Sequence, residues 1–517
     1  MFSFGGTLPG VKILILLLMG AGVEGYSGEK CIAHSRLNPP LSKPKFNKRL
    51  GLEIPISTAQ FNLEQQLEIS VTKPLSQTTC TRGTAIFKFC NMLSITRRLH
   101  ISTKSLAKTL SNRLPSSEAY YEREFNFGAH NYAPIPVVLT KGKGVYVWDV
   151  DGRKYYDFLS AYSAVNQGHC HPKITSALVD QAQRLALTSR AFYNDQLGGY
   201  AEYMSKLFGY DKILPMNSGV EAVETGLKLA RRWGYDIKGI VENQAKIIFV
   251  SENFCGRTFG ALSASTDPSC YTGFGPYLPG IEVIPYNDVE ALEKSLQDPT
   301  VCAFICEPIQ GEAGVVVPDA GYLKKVRELT KKHNVLFIAD EIQTGLARTG
   351  KMLAVDHENV RPDMVLLGKA LSGGVYPISA VLADDEIMLT IKPGEHGSTF
   401  GGNPIAAKVA MAALDVIQEE NLADNAENLG RFLREELEKL DKNIVTTVRG
   451  KGLLNAVVIK STKEYDAMKV CLRLRDNGLL AKPTHDHIIR LAPPLVITKE
   501  EISECAAIIR NTIQSFL

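Results

Sequence analysis

No two cysteines in the chain stand in Cys-x-x-Cys spacing, and Cys302 and Cys306 lie four apart inside a strand-like run. The ten cysteines therefore carry no zinc-ribbon or thioredoxin-type signature. Seven of them, an odd number, follow residue 130, so buried free thiols in a reducing compartment are expected. Excess charge is missing too. A net +3 over 517 residues is too little to argue for nucleic acid or an anionic membrane surface. No internal repeat and no low-complexity tract stands out. The apolar run Ile13–Met19, after Lys12, is too short to span a bilayer but sized for a secretory signal.

Acidic residues are absent from Met92–Ser117, which holds Arg97, Arg98, Lys104, Lys108 and Arg113 among many hydroxyls. Basic, hydroxyl-rich and acid-free is the composition of a mitochondrial transit peptide. Residues 28–91 show scattered prolines and no sustained periodicity, which reads as disorder. Two targeting signals in series conflict. The simpler account makes Met92 the natural start and residues 1–91 the product of an upstream or alternative exon. The expected location is then the mitochondrial matrix, with the secretory route as the alternative if residues 1–91 are translated. No stable membrane insertion is expected of the mature chain.

What is present begins near Tyr120. Val145–Val150 alternates, turns at Asp151-Gly152 and resumes at Lys154–Phe158, a hairpin by the Asp-Gly signal. Short apolar runs then alternate with helical spacing: strands are predicted at 246–250, 281–285, 301–306, 335–339, 364–367 and 378–382. That alternation is the mark of a mainly parallel sheet covered by helices. From Ile405 a long helical run leads into a second, smaller α/β unit. The predicted division is 118–165 as an N-terminal segment serving the small domain and the site, 166–404 as the large domain, and 405–517 as the small domain.

Two strand ends carry chemistry. Val335–Ala339 is apolar throughout and is followed by Asp340-Glu341-Ile342-Gln343; Met364–Leu367 is followed by Gly368-Lys369-Ala370. Open α/β sheets bind ligands at strand carboxyl ends. A lysine that forms a Schiff base and an acid that keeps a pyridine nitrogen protonated suit pyridoxal phosphate (PLP). A strand-end salt bridge is the plain alternative. Asn217-Ser218-Gly219-Val220 opens a helix whose first N–H groups suit a phosphate, or simply an N-cap. Phe254 could stack on a flat ring and Arg257 could clamp a carboxylate, or both could belong to an ordinary loop. Cys306–Gly314 is a strand end with a glycine-rich turn, in which Glu312 needs a partner to have a role. Gly168-His169-Cys170-His171 lacks a third ligand cluster and reads as a turn before a helix. His396–Pro404 offers hydroxyls and flexible backbone before another helix.

Together these stretches resemble the class III, or ω-, aminotransferases of the fold-type I PLP enzymes, over about Tyr120–Phe516. Ser218-Gly219-Val220, Asp340–Gly345 and Gly368-Lys369-Ala370 carry the resemblance. Gly128–Tyr132, Ser163–His169, Gly311–Val315 and Leu479–Thr484 narrow it. The resemblance implies PLP-dependent transfer of the δ-amino group of L-ornithine to 2-oxoglutarate. The products would be glutamate and a semialdehyde that cyclises to a pyrroline; N-acetylornithine or γ-aminobutyrate is the alternative donor. It implies that Lys369 holds PLP and moves the proton, Asp340 meets the ring nitrogen, Gln343 the phenolic oxygen, and Phe254 stacks on the ring. Gly219 and Val220 would bind the phosphate, with Thr399 supplied by a second subunit of a homodimer. Tyr132 and Arg257 would hold the α-amino and α-carboxylate groups of ornithine, and Tyr162 would line the pocket. Arg490 would take the α-carboxylate of the second substrate, and Glu312 would mask Arg490 while ornithine is bound. Rival readings are a catalytically silent scaffold and a secreted binding protein; the three site residues Lys369, Asp340 and Gln343 oppose the first, and the free-looking cysteines the second.

Overall fold

A computed structural model describes residues 116–517; the leader 1–91 and the stretch 92–115 lie outside them. Seven strands form the central sheet: β1 Lys212–Met216, β2 Lys246–Val250, β3 Ile281–Ile284, β4 Val301–Cys306, β5 Leu336–Asp340, β6 Met364–Leu367 and β7 Ser379–Ala383. Their spatial order is β1-β7-β6-β5-β4-β2-β3. The β2, β3, β4, β5 and β6 pairings are parallel, while β7 runs antiparallel to both neighbours. The sheet is thus mainly parallel, as the alternation predicted. β1 escaped the sequence reading because Pro215 interrupts it; a strand lacking one N–H is tolerated at a sheet edge.

Alternation along the strands splits the core in two. Phe304, Phe337 and Val365 face one layer, while Ala303, Ile305, Ile338 and Leu366 face the other. The second layer is covered by the helix Gly219–Asp236, which buries Ala222, Val223, Leu227, Ala230 and Trp233. Helix Pro404–Glu419, with proline in its first turn and Asn403 accepting the Ala406 N–H at 2.9 Å, belongs to the first. Residues buried on both faces explain why these strands read as continuous apolar runs.

The hairpin is present as Tyr146–Asp149 and Lys154–Asp157. A strand that sequence patterning missed, Leu139–Lys143, precedes it; it is mostly exposed and shows no apolar alternation. Leu479–Leu480 joins this sheet, running parallel to Lys154–Asp157. A further four-stranded antiparallel sheet comprises Val445–Lys451, Leu454–Ile459, Ile488–Leu491 and Lys482–Thr484. The seven cysteines among the described residues are all free thiols, five of them buried. No helix among those residues is long and apolar enough to cross a membrane. His169 and His171 part company: one pairs with Asp157 at 2.7 Å, the other with Glu420 at 2.9 Å.

Candidate active site

The carboxyl ends of β4, β5 and β6 converge on one cleft. After β6, Gly368 is extended and Lys369 turns into the left-handed region at φ 43°. For a residue with a Cβ this backbone costs about 1–2 kcal/mol, and such outliers gather at functional sites. Lys369 is half-buried, and loss of solvent holds its ammonium below the ordinary lysine range. Glu312, Asp340 and Glu307 pull the other way.

Asp340 closes β5 with 3 % of its surface exposed, and its Oδ1 accepts the Ile342 N–H at 3.1 Å. Burial raises its carboxyl to about 6, against that N–H and Lys369. Register then matters. Cys306 pairs with Ala339, so Glu307 follows β4 beside Asp340 on β5. Glu307 accepts the N–H of Phe254 at 3.0 Å and of Gly311 at 3.1 Å, while burial, then Asp340, pushes it up to about 8. Glu341 points elsewhere: it accepts the Val355 N–H at 2.9 Å, and burial lifts it to about 7.

Lys369 and Gly219 line two adjoining cavities, one of about 360 Å³ that includes Asn217 and Ser218, the other of about 50 Å³. The smaller is walled by Val220, Phe254, Glu307, Asp340 and Gln343. Ser218 and Glu221 form a reciprocal capping box, leaving the first N–H groups of the helix, at Gly219 and Val220, on the cavity side. Gly219 must be small. A Cβ there would lie 3.0 Å from Ile342 Cγ2.

At the mouth, Arg490 donates to Glu312 Oε1 at 2.6 Å, and only 5 % of its side chain is exposed. Burial pushes the Glu312 carboxyl up, but Arg490, with help from Lys369 and Gln343, holds it below the usual range. The guanidinium lies 4.9 Å from the Tyr162 ring centre. Tyr162 belongs to four successive left-handed residues, Ser160–Ser163, with φ of 50°, 47°, 62° and 71°. Asp157 anchors that turn by accepting the Leu159 and Ser160 N–H groups at 2.8 and 2.9 Å. Ser160 Oγ donates to the Ala492 carbonyl at 2.7 Å. Lys482 Nζ sits between two aromatics, 5.9 Å from the Tyr162 ring and 6.0 Å from Tyr132. Gln343 Nε2 donates to Glu312 Oε1 at 3.3 Å, and its buried Oε1 has no hydrogen-bond partner.

The cleft therefore gathers Lys369, Asp340, Gln343, Gly219, Val220, Phe254 and Glu312, with Arg490 and Tyr162 at its mouth. Three predicted residues stand farther out. Tyr132 is 73 % exposed. Arg257 is exposed, its guanidinium 5.7 Å from the Phe254 ring. Thr399 is exposed on the 395–400 loop. Two residues escaped the sequence reading, Glu307 and Lys482. Glu307 had a usable signal, an acid directly after an unbroken apolar strand, the same pattern as Asp340.

A family model for aminotransferase class-III matches residues 127–513. The chain belongs to the class III aminotransferases. The mitochondrial ornithine aminotransferase of Rattus norvegicus is 67% identical over 415 residues, covering 80% of this chain and 94% of the relative. That of Drosophila melanogaster is 67% identical over 399 residues, covering 77% and 92%. A solved ornithine aminotransferase from Toxoplasma gondii, whose active site shows partial occupancy of PLP, superposes with a TM-score of 0.76. It is 49% identical and covers 80% of this chain and 98% of that one. Class III aminotransferases depend on PLP, and this cleft fits it. Buried Asp340 would suit a protonated ring nitrogen, the helix start at Gly219 would suit a phosphate, and Gln343 keeps a buried Oε1 without a hydrogen-bond partner beside them.

Proposed function

We propose that this class III aminotransferase moves the δ-amino group of L-ornithine to 2-oxoglutarate, giving glutamate and glutamate 5-semialdehyde, which cyclises to pyrroline-5-carboxylate. The observation that carries the reading is the Glu312–Arg490 pair facing Lys369 across the cleft. Ornithine must react through its distal amine, whereas glutamate reacts through its α-amine. An open Arg490 would hold the α-carboxylate of ornithine beside the cofactor and present the wrong amine. Glu312 blocks that mode, and an incoming dicarboxylate displaces it.

Bound PLP supplies an electron-withdrawing ring that acidifies the C–H bond next to the transferred nitrogen. The chain's own residues do the rest. Lys369 Nζ, whose ammonium is disfavoured by burial, would hold the cofactor and would take and return the proton. Asp340 would hold the ring nitrogen in its protonated form. Gln343 would serve the phenolic oxygen, Phe254 would stack, and the Gly219 and Val220 N–H groups would hold the phosphate. Tyr132 and Arg257 hold the α-amino and α-carboxylate ends of ornithine, and Tyr162 walls the pocket.

The active unit is a homodimer in which Thr399 serves the neighbouring site; its exposure, with Phe400 beside it and Phe192 and Tyr193 elsewhere, supports a covered surface. Residues 118–165 and 405–517 form the small domain around the large domain 166–404, a division supported by the pairing of Leu479–Leu480 with Tyr156–Asp157. The enzyme acts in the mitochondrial matrix, a location supported by the names of its relatives. Incubation with ornithine and 2-oxoglutarate, with trapping of the semialdehyde or its pyrroline, tests the reaction. Turnover of N-acetylornithine or γ-aminobutyrate in place of ornithine would overturn it.

A further inference from the structure

Of the acids lining the smaller cavity, Glu307, Glu312 and Asp340, Glu307 is the one to which the proposed reaction assigns nothing. It is 5 % exposed, and each carboxylate oxygen accepts a backbone N–H from a different loop. Oε1 takes Phe254, on the loop that also carries Arg257; Oε2 takes Gly311, the residue just before Glu312. The Gly311 turn is itself closed, with Gly311 O accepting the Gly314 and Val315 N–H groups at 3.1 and 3.2 Å. Its entry is fixed as well: Tyr286 OH donates to the carbonyls of Glu307 and Pro308 at 3.2 and 3.0 Å. Glu312 follows Gly311 directly, so the Glu307 carboxyl, by holding the Gly311 N–H, fixes the backbone from which the Glu312 side chain reaches Arg490.

We propose that Glu307 is a positioning residue that sets how readily Glu312 releases Arg490, by bracing the turn that carries Glu312 against the loop that carries Phe254. The inference rests on the reading of Glu312 as a mask. A carboxylate suits the task because two convergent N–H donors need two acceptors. A glutamine offers one oxygen and turns its NH₂ toward the other donor, leaving that N–H without an acceptor. A change at Glu307 also reaches Lys369 and Asp340, which serve both halves of the reaction, and the Phe254 loop. A shift in the ratio of the half-reactions that disappears once Glu312 is removed isolates the brace.

The test is stopped-flow measurement of the half-reactions with glutamate and with ornithine in PLP-loaded Glu307→Gln, Glu307→Asp, Glu312→Ala and the double variant Glu307→Gln/Glu312→Ala. Aspartate keeps the carboxyl group but is one methylene too short to reach both loops, so it covers the case in which the glutamine variant fails to fold. Each Glu307 variant is expected to raise the glutamate-to-ornithine rate ratio by roughly tenfold, the scale of one unmade buried hydrogen bond. The KM for 2-oxoglutarate should fall with it. In the Glu312→Ala background, Glu307→Gln should add no further change, since the mask is already gone. A ratio within roughly twofold of wild type in the Glu307 variants, beside a clear shift in Glu312→Ala, overturns the brace and leaves the mask standing. An equal added shift in the double variant also overturns it. An unshifted Glu312→Ala removes the mask, and the brace with it.

Discussion

The floor of the cleft and its mouth both hold buried acids, yet the two places treat them in opposite ways. On the floor, Asp340, Glu307 and Glu341 take hydrogen bonds from backbone N–H groups, and burial lifts all three carboxyls. At the mouth, Glu312 is only half-buried, and Arg490 holds it low. Backbone donors are rigid and cannot be exchanged, so the floor is a fixed frame. A side-chain ion pair can part and re-form, so the mouth is adjustable. The floor holds its acids with backbone donors beside Lys369, and the mouth holds its acid with the Arg490 guanidinium.

The contrast breaks most severely at Lys369. Lys369→Ala should abolish transamination and the borohydride-reducible link to PLP, because no other amine lines the smaller cavity; full turnover in that variant would end the assignment. Next in size is Asp340→Asn. The amide should keep PLP bound yet lose several orders of magnitude in rate, since a neutral partner no longer favours a protonated ring nitrogen. Wild-type rates would show that another group serves the nitrogen.

The mouth should respond selectively and less. Arg490→Lys should weaken 2-oxoglutarate by about tenfold while sparing the ornithine half-reaction, because a lysine cannot reproduce the planar fork. Glu312→Ala should speed glutamate by a similar factor, with some product arising from the α-amine of ornithine. Equal slowing of both halves would make the pair merely structural.

The smallest effect is on stability. The floor acids bind protons more tightly when folded, with Asp340 raised to about 6, Glu341 to about 7 and Glu307 to about 8. Folding therefore loses stability as pH rises through the range between their ordinary values and these. Glu312 is depressed, so its contribution is complete above the ordinary glutamate value and is lost as pH falls. Melting of the PLP-free protein should fall by roughly one to a few degrees from about pH 5 to about pH 8, since the shift per kcal/mol shrinks as the chain lengthens. Asp340→Asn should flatten that slope. A rise in melting temperature over the same range would contradict the floor description.

Much of this was legible in the order of residues. Val301–Cys306 and Met364–Leu367 are strands with the boundaries that their apolar runs suggested, because a strand buried on both faces must be apolar at every position. Ser218 and Gly219 announced a helix start by local chemistry alone, and Glu221 completes its capping box. The strands that went unseen, Leu139–Lys143, β1, Val445–Lys451, Leu479–Leu480 and Lys482–Thr484, all lie at sheet edges, where neither composition nor period is constrained.

The sequence by itself determined which residues could do the chemistry: a lysine and an acid ending adjacent apolar runs, a capped helix start, and motifs of a known enzyme class. Those signals are local, set by burial and backbone geometry within a few residues. Tertiary structure alone decided who meets whom. The register of β4 against β5 puts Glu307 beside Asp340, two residues 33 positions apart in the chain. Arg490 and Glu312, separated by 178 positions, meet at 2.6 Å. A left-handed turn built from ordinary residues brings Tyr162 over that pair. No local rule encodes such a turn. It persists because Asp157 and the Ala492 carbonyl, both supplied by the packed fold, satisfy its hydrogen bonds.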